Sequence, residues 1–122
     1  MARILLAEDD AISRLYMSET LARSGHQVVA PDDAGRLMAE LQQTRFDLVL
    51  TDLKMPQVDG WQVASWLQQH QPGTPVIAVS GFTSYLPPEH LQPFAAILRK
   101  PVRATRLLAV VSDTLARTGR GA

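Results

Sequence analysis

The sequence predicts an α/β protein, a doubly wound five-stranded parallel sheet with helices on both faces. Short apolar runs alternate with longer stretches of helical spacing along the 122 residues. The runs are nearly continuous in apolar residues, as strands buried on both faces of a parallel sheet are. Glycine, proline or acidic residues stand at each change of period. Strands alternating with helices in this way argue for a parallel sheet covered on both sides.

The first run, Arg3 to Ala7, ends at Glu8-Asp9-Asp10. Ile12, Tyr16, Met17 and Leu21 then recur at three-to-four spacing and predict a helix that stops near Ser24-Gly25. Gln27 to Ala30 reads as a brief second strand closed by Pro31, and Asp32 is the expected N-cap of a helix carrying Leu37, Met38 and Leu41. Phe46 to Thr51 is the third strand and ends at Asp52. A loop with Met55-Pro56 and Asp59-Gly60 leads into a helix through Val63 and Leu67, broken by Pro72-Gly73. Pro75 to Val79 is the fourth strand, ending at Ser80-Gly81. Pro87, Pro88 and Pro93 keep any helix between Phe82 and Pro93 short or irregular, because proline removes a donor and clashes with the preceding turn. Ala95 to Arg99 is the fifth strand, ending at Lys100-Pro101. Ala104, Leu108, Val111 and Leu115 mark a last helix, with Thr118 to Ala122 a frayed tail. No repeat or linker interrupts the alternation, so residues 1–122 read as one domain.

Composition narrows the function classes. Twelve basic and twelve acidic side chains cancel, which leaves no electrostatic footprint for nucleic acid or an anionic membrane. The absence of cysteine excludes disulfides, thiolate metal sites and cysteine nucleophiles. Ile4 to Ala7 is too short an apolar stretch for a signal peptide or a membrane span, and a cytoplasmic location is expected.

The strand ends collect chemistry. Glu8 and Asp9 follow the first strand, Asp52 the third, Ser80 the fourth and Lys100 the fifth. Ligands of open parallel sheets bind outside the carboxyl ends of the strands. Three carboxylates brought together there repel one another, and a hard divalent cation with oxygen ligands, Mg2+ above all, relieves that repulsion. Such a cation neutralises charge developing in phosphoryl transfer. Lysine suits a phosphate oxygen, serine can donate to it, and an aspartate so surrounded is a credible nucleophile toward phosphorus.

The segments Ile4 to Asp10, Leu48 to Pro56 with Asp59-Gly60, Val76 to Gly81, and Lys100-Pro101 resemble the response-regulator receiver family in order and spacing, over roughly residues 3 to 117. The resemblance implies strand order 2-1-3-4-5, as in flavodoxin-like folds. It implies a magnesium-dependent phosphoacceptor of two-component signalling and not an enzyme acting on a separate substrate. Asp52 would take the phosphoryl group from a sensor histidine kinase, a histidine phosphotransfer protein or a small phosphodonor. Asp9 and Asp52 would ligate magnesium directly, with the backbone carbonyl of Lys54, and Glu8 through water. Ser80 would move toward the phosphoryl group, Lys100 would hold one of its oxygens, and the Lys100-Pro101 bond would be cis. Asp10 is the weaker ligand candidate.

Two departures stand out. Ile97 occupies the fifth-strand position where many receivers carry an aromatic switch residue, and the stretch between Ser80 and Lys100 is short and proline-rich. The second implies a monomer or weak dimer. Lys54 and Phe82 match positions that tune phosphoryl lifetime, and a bulky Phe82 implies slow self-dephosphorylation.

Each site residue also has a plain structural reading, as helix cap, turn or strand end; their joint placement favours chemistry. His26, His70 and His90 lack ligand spacing and read as solvated. Trp61 and Trp66 read as packing or flank residues, and the basic C-terminal helix as a solvated face. The alternative function is a receiver-fold interaction module independent of phosphorylation. An aspartyl phosphatase of the haloacid-dehalogenase type would need an aspartate where Lys54 stands. A flavin carrier would need a phosphate-cradling loop where Glu8-Asp9-Asp10 stands.

Overall fold

A computed structural model describes residues 1–81 and 87–119; Phe82 lies outside them. The order is β1 (Arg3–Ala7), α1 (Ala11–Arg23), β2 (Gln27–Val29), α2 (Ala34–Gln43), β3 (Leu48–Asp52), α3 (Gly60–His70), β4 (Val76–Ser80), α4 (Pro88–Leu91), β5 (Ala96–Arg99) and α5 (Ala104–Thr118). Every strand pairing is parallel and the sheet order is β2-β1-β3-β4-β5. The expected doubly wound sheet is therefore present.

Strand alternation divides the core. Ile4, Leu6, Leu48 and Leu50 point to one face, where Met17 and Leu21 of α1 meet Leu107, Val111 and Leu115 of α5. Leu5 and Val49 point to the other, against Leu37 and Leu41 of α2 and Val63 and Leu67 of α3. Each such side chain contributes about 1.5–3 kcal/mol by leaving water. β3 and β4 are buried at every residue, as the inner strands of a sheet covered on both sides must be.

Local details differ from the sequence reading. In α1 only Met17 and Leu21 are buried, while Ile12 is 80% exposed and Tyr16 46%. At about 100° per residue, Tyr16 stands a quarter turn from Met17 and Ile12 about 140° away, outside the stripe that faces the sheet. The α2 cap is Asp33, not Asp32: its extended backbone lets Oδ1 accept the Arg36 N–H at 2.8 Å. Asp32 instead pairs with the Arg36 guanidinium at 3.7 Å on the surface. In α5, Leu107 is buried, whereas Leu108, the sequence-based core position, is half-buried. Thr118 belongs to α5, which ends on Gly119 at φ 72°. His26 is half-buried, not solvated: its Nδ1 accepts the Ala2 N–H at 3.2 Å, and burial, then the nearby amino terminus, lower its pKa. His70 stacks on Trp66 with ring centroids 4.4 Å apart.

Candidate functional site

The parallel order brings the carboxyl ends of β1, β3, β4 and β5 to one edge. Asp52, last residue of β3, is 6% exposed, and Glu8, just past β1, is 3% exposed. Burying two carboxylates is costly unless a cation compensates them. Lys100, just past β5, supplies one. Its Nζ donates a hydrogen bond to Oδ2 of Asp52 at 3.0 Å and lies 2.8 Å from Oε1 of Glu8. The second contact is one of charge, not an aligned bond, because Oε1 is a buried atom with no hydrogen-bond partner.

The site's protonation follows from this packing. Burial first, then the close contact with Glu8, pushes the Asp52 carboxyl up to about 7 from an ordinary 3.8, against the pull of Lys100. Burial would lower the Lys100 pKa, but its contacts with Glu8 and Asp52 outweigh that and raise it. Ligand oxygens of Glu8, Asp9 and Asp52 all lie within 4.8 Å of one another. An oxygen-only set with one buried, unaligned oxygen and excess negative charge fits a hard divalent cation.

Neighbouring groups hold this arrangement. The Asp10 N–H donates to Oε2 of Glu8 at 3.0 Å, and the Arg14 guanidinium donates to the Glu8 carbonyl at 3.0 Å. Asp10 itself caps α1, its Oδ2 accepting the Ser13 N–H at 2.8 Å; that bond lowers its pKa. The acidic triplet is thus divided between a cap and the cluster. Ser80 ends β4 and is 1% exposed, its carbonyl accepting the Lys100 N–H at 2.8 Å. The Lys54 side chain is exposed in the turn after β3. The Lys100-Pro101 bond is cis.

Two features went unnoticed in the sequence. Asp59 and Gln62 form a capping box on α3: Oδ1 of Asp59 accepts the Gln62 N–H at 2.9 Å, and Oε1 of Gln62 accepts the Asp59 N–H at 2.8 Å. The Asp-x-x-Gln spacing was the available signal. Gln57 has φ 73°, a left-handed conformation that no local motif announced. A cleft of about 230 Å3 opens beside the cluster, lined by Glu8 and Asp9 with Pro31, Leu37, Met55 and Pro56 among its apolar walls.

With that geometry in place, comparison with known proteins assigns the family. The profile of the family described as "Response regulator receiver domain" matches residues 4–112. The chain belongs to the response regulator receiver family. This receiver is 34% identical over 113 residues to the response regulator protein FleR of Pseudomonas aeruginosa, covering 91% of this chain but only 24% of FleR. It is 32% identical over 117 residues to the response regulator receiver protein CpdR of Brucella abortus, covering 94% of this chain and 98% of CpdR. A CheY-like receiver domain protein of Methanospirillum hungatei superposes with TM-score 0.87 at 27% identity, covering 98% of this chain and 97% of that one. Among the described residues, no helix of the receiver is long and apolar enough to cross a membrane.

Proposed function

We propose that this receiver is a phosphoacceptor of a two-component pathway, taking a phosphoryl group on Asp52 from the phosphohistidine of a sensor histidine kinase or histidine phosphotransfer protein. In the transfer, an Asp52 carboxylate oxygen forms the new O–P bond while the P–N bond breaks, the electron pair returning to the imidazole. Lys100 then releases the Asp52 oxygen it holds and pairs with a phosphoryl oxygen, keeping its contact with Glu8. Ser80, at the end of the adjacent strand, donates its hydroxyl to the phosphoryl group. Glu8, Asp9, Asp52 and the Lys54 backbone carbonyl would hold Mg2+, which supplies charge neutralisation when bound. The receiver acts as one domain in the cytoplasm, without binding nucleic acid itself.

The observation that carries this reading is the Lys100 ammonium held between two buried carboxylates, 2.8 Å from Glu8 and 3.0 Å from Asp52. A buried nucleophile with a cation at its oxygen, beside two further acidic ligands, is what acyl-phosphate formation requires. Incubation with acetyl phosphate and magnesium, read by intact mass, is the test. Wild type gains one phosphoryl group and Asp52→Ala gains none. A wild type that gains nothing supports the phosphorylation-independent interaction module instead.

A further inference from the structure

The Ile97 side chain on β5 has neither a ring edge nor a polar atom to report the state of Asp52, yet the structure holds another connection from Asp52 to α4. It begins at the backbone. The Gly60 N–H donates to the Leu53 carbonyl at 2.9 Å. A Cβ on Gly60 would stand 2.7 Å from the Asp52 carbonyl oxygen and 3.1 Å from the Leu53 Cα. The first residue of α3 therefore rests on the peptide of the phosphoacceptor with no spare room. The capping box at Asp59 and Gln62 fixes the first turn of α3 in turn.

The next residue is Trp61. Its indole Nε1–H donates to the His90 carbonyl in α4 at 2.7 Å. Its ring meets His90 edge-on at 6.4 Å and Phe94 at 6.3 Å between centroids. Among the described residues α4 has little else to hold it. It has four residues, no side-chain cap and no buried residue. An element with so little buried surface opens and shifts easily, and its position follows its strongest contact. Ile97 packs on the same core cluster as Trp61 and Phe94.

We infer that Trp61 is the positioning residue that couples Asp52 to α4, replacing the missing aromatic of β5. A shift of the Asp52–Leu53 peptide on phosphoryl transfer moves Gly60, and Trp61 carries that movement to the His90 carbonyl and the Phe94 ring. The inference rests on Asp52 taking a phosphoryl group.

The test compares amide hydrogen exchange in residues 88–94 with and without beryllofluoride and magnesium, a phosphoryl mimic. In wild type the ligand changes exchange there. Trp61→Phe keeps a ring but loses the donor, and its response falls about fivefold, the lower range of ordinary coupling between sites. Trp66→Phe keeps the full response, and the emission of its one remaining indole, Trp61, shifts with beryllofluoride. Phe94→Leu removes the receiving ring from the other side and blunts the exchange response too, so the test does not hang on one variant. Acetyl phosphate still adds one phosphoryl group to Trp61→Phe, which a collapsed fold would not permit. A full exchange response in both Trp61→Phe and Phe94→Leu overturns the inference, as does a wild type that is phosphorylated without any change at 88–94. If wild type gains no phosphoryl mass at all, the functional reading itself has failed, and the mass measurement alone reveals it.

Discussion

The crossovers from β3 to α3 and from β4 to α4 begin alike and finish differently. Both leave a fully buried strand at a residue of the site, Asp52 in one case and Ser80 in the other. The first is locked. Gly60 lies against the Asp52 peptide, a capping box closes the helix start, and α3 buries Gly60, Val63, Ala64 and Leu67. The second leads to a four-residue helix with no side-chain cap and nothing buried. Asp52 therefore sits on the stiff crossover, where its geometry is held. α4, with nothing buried, is left able to shift at small cost, as low-stability segments near functional sites do.

The comparison can be broken most sharply at Gly60. Gly60→Ala forces a methyl group to 2.7 Å from a backbone oxygen that cannot move aside. We expect a loss of about 3 kcal/mol in urea unfolding, the upper range for overpacking. A loss below about 0.5 kcal/mol would mean that the start of α3 yields as readily as α4.

The burial of Asp52 should also show in how stability depends on pH. The folded pKa of Asp52, about 7, exceeds the unfolded 3.8, so the fold disfavours its ionised form. Below about pH 4 the group is neutral in both states and contributes nothing. As pH rises from about 4 to 7 the unfolded chain releases its proton while the fold retains it, and stability falls. In chelator we expect wild type to lose about 4 kcal/mol over that window relative to Asp52→Asn, with magnesium abolishing the difference. Parallel pH–stability curves for the two proteins would contradict this.

The smallest effects separate the two helix starts. Asp59→Ala removes the cap of α3 and should cost about 1 kcal/mol. Glu89→Ala in exposed α4 should stay within about 0.5 kcal/mol of wild type. Equal costs would erase the contrast.

Much of this was legible in the chain because strand ends are legible. The apolar runs stop at Glu8, Asp52, Ser80 and Lys100, and a parallel sheet brings all such stops to one edge. What periodicity missed were choices made by single turns. Asp32 and Asp33 are equal candidates for a cap until the helix start is known, and only the bond to the Arg36 N–H selects Asp33. Ile12 and Tyr16 match helical spacing with each other yet lie off the stripe that carries Met17 and Leu21, so a pattern match was not burial. His26 lacks ligand spacing, but its partner is a backbone N–H from the chain start, which no local pattern encodes. Trp61 packs on the core cluster, in line with its reading as a packing or flank residue, but its bond to the His90 carbonyl has no sequence signature.

The Lys100 contacts with Glu8 and Asp52 also bear on how the protein is made. The three charges stand at the ends of β1, β3 and β5, and β5 joins the sheet by pairing with β4. Glu8 and Asp52 precede Lys100 in the chain, and setting β1 beside β3 without it places two like charges together, which is unfavourable. Closing the last strand supplies their counter-ion. The acidic cluster needs only β1 and β3, whereas its internal counter-ion arrives with the edge strand.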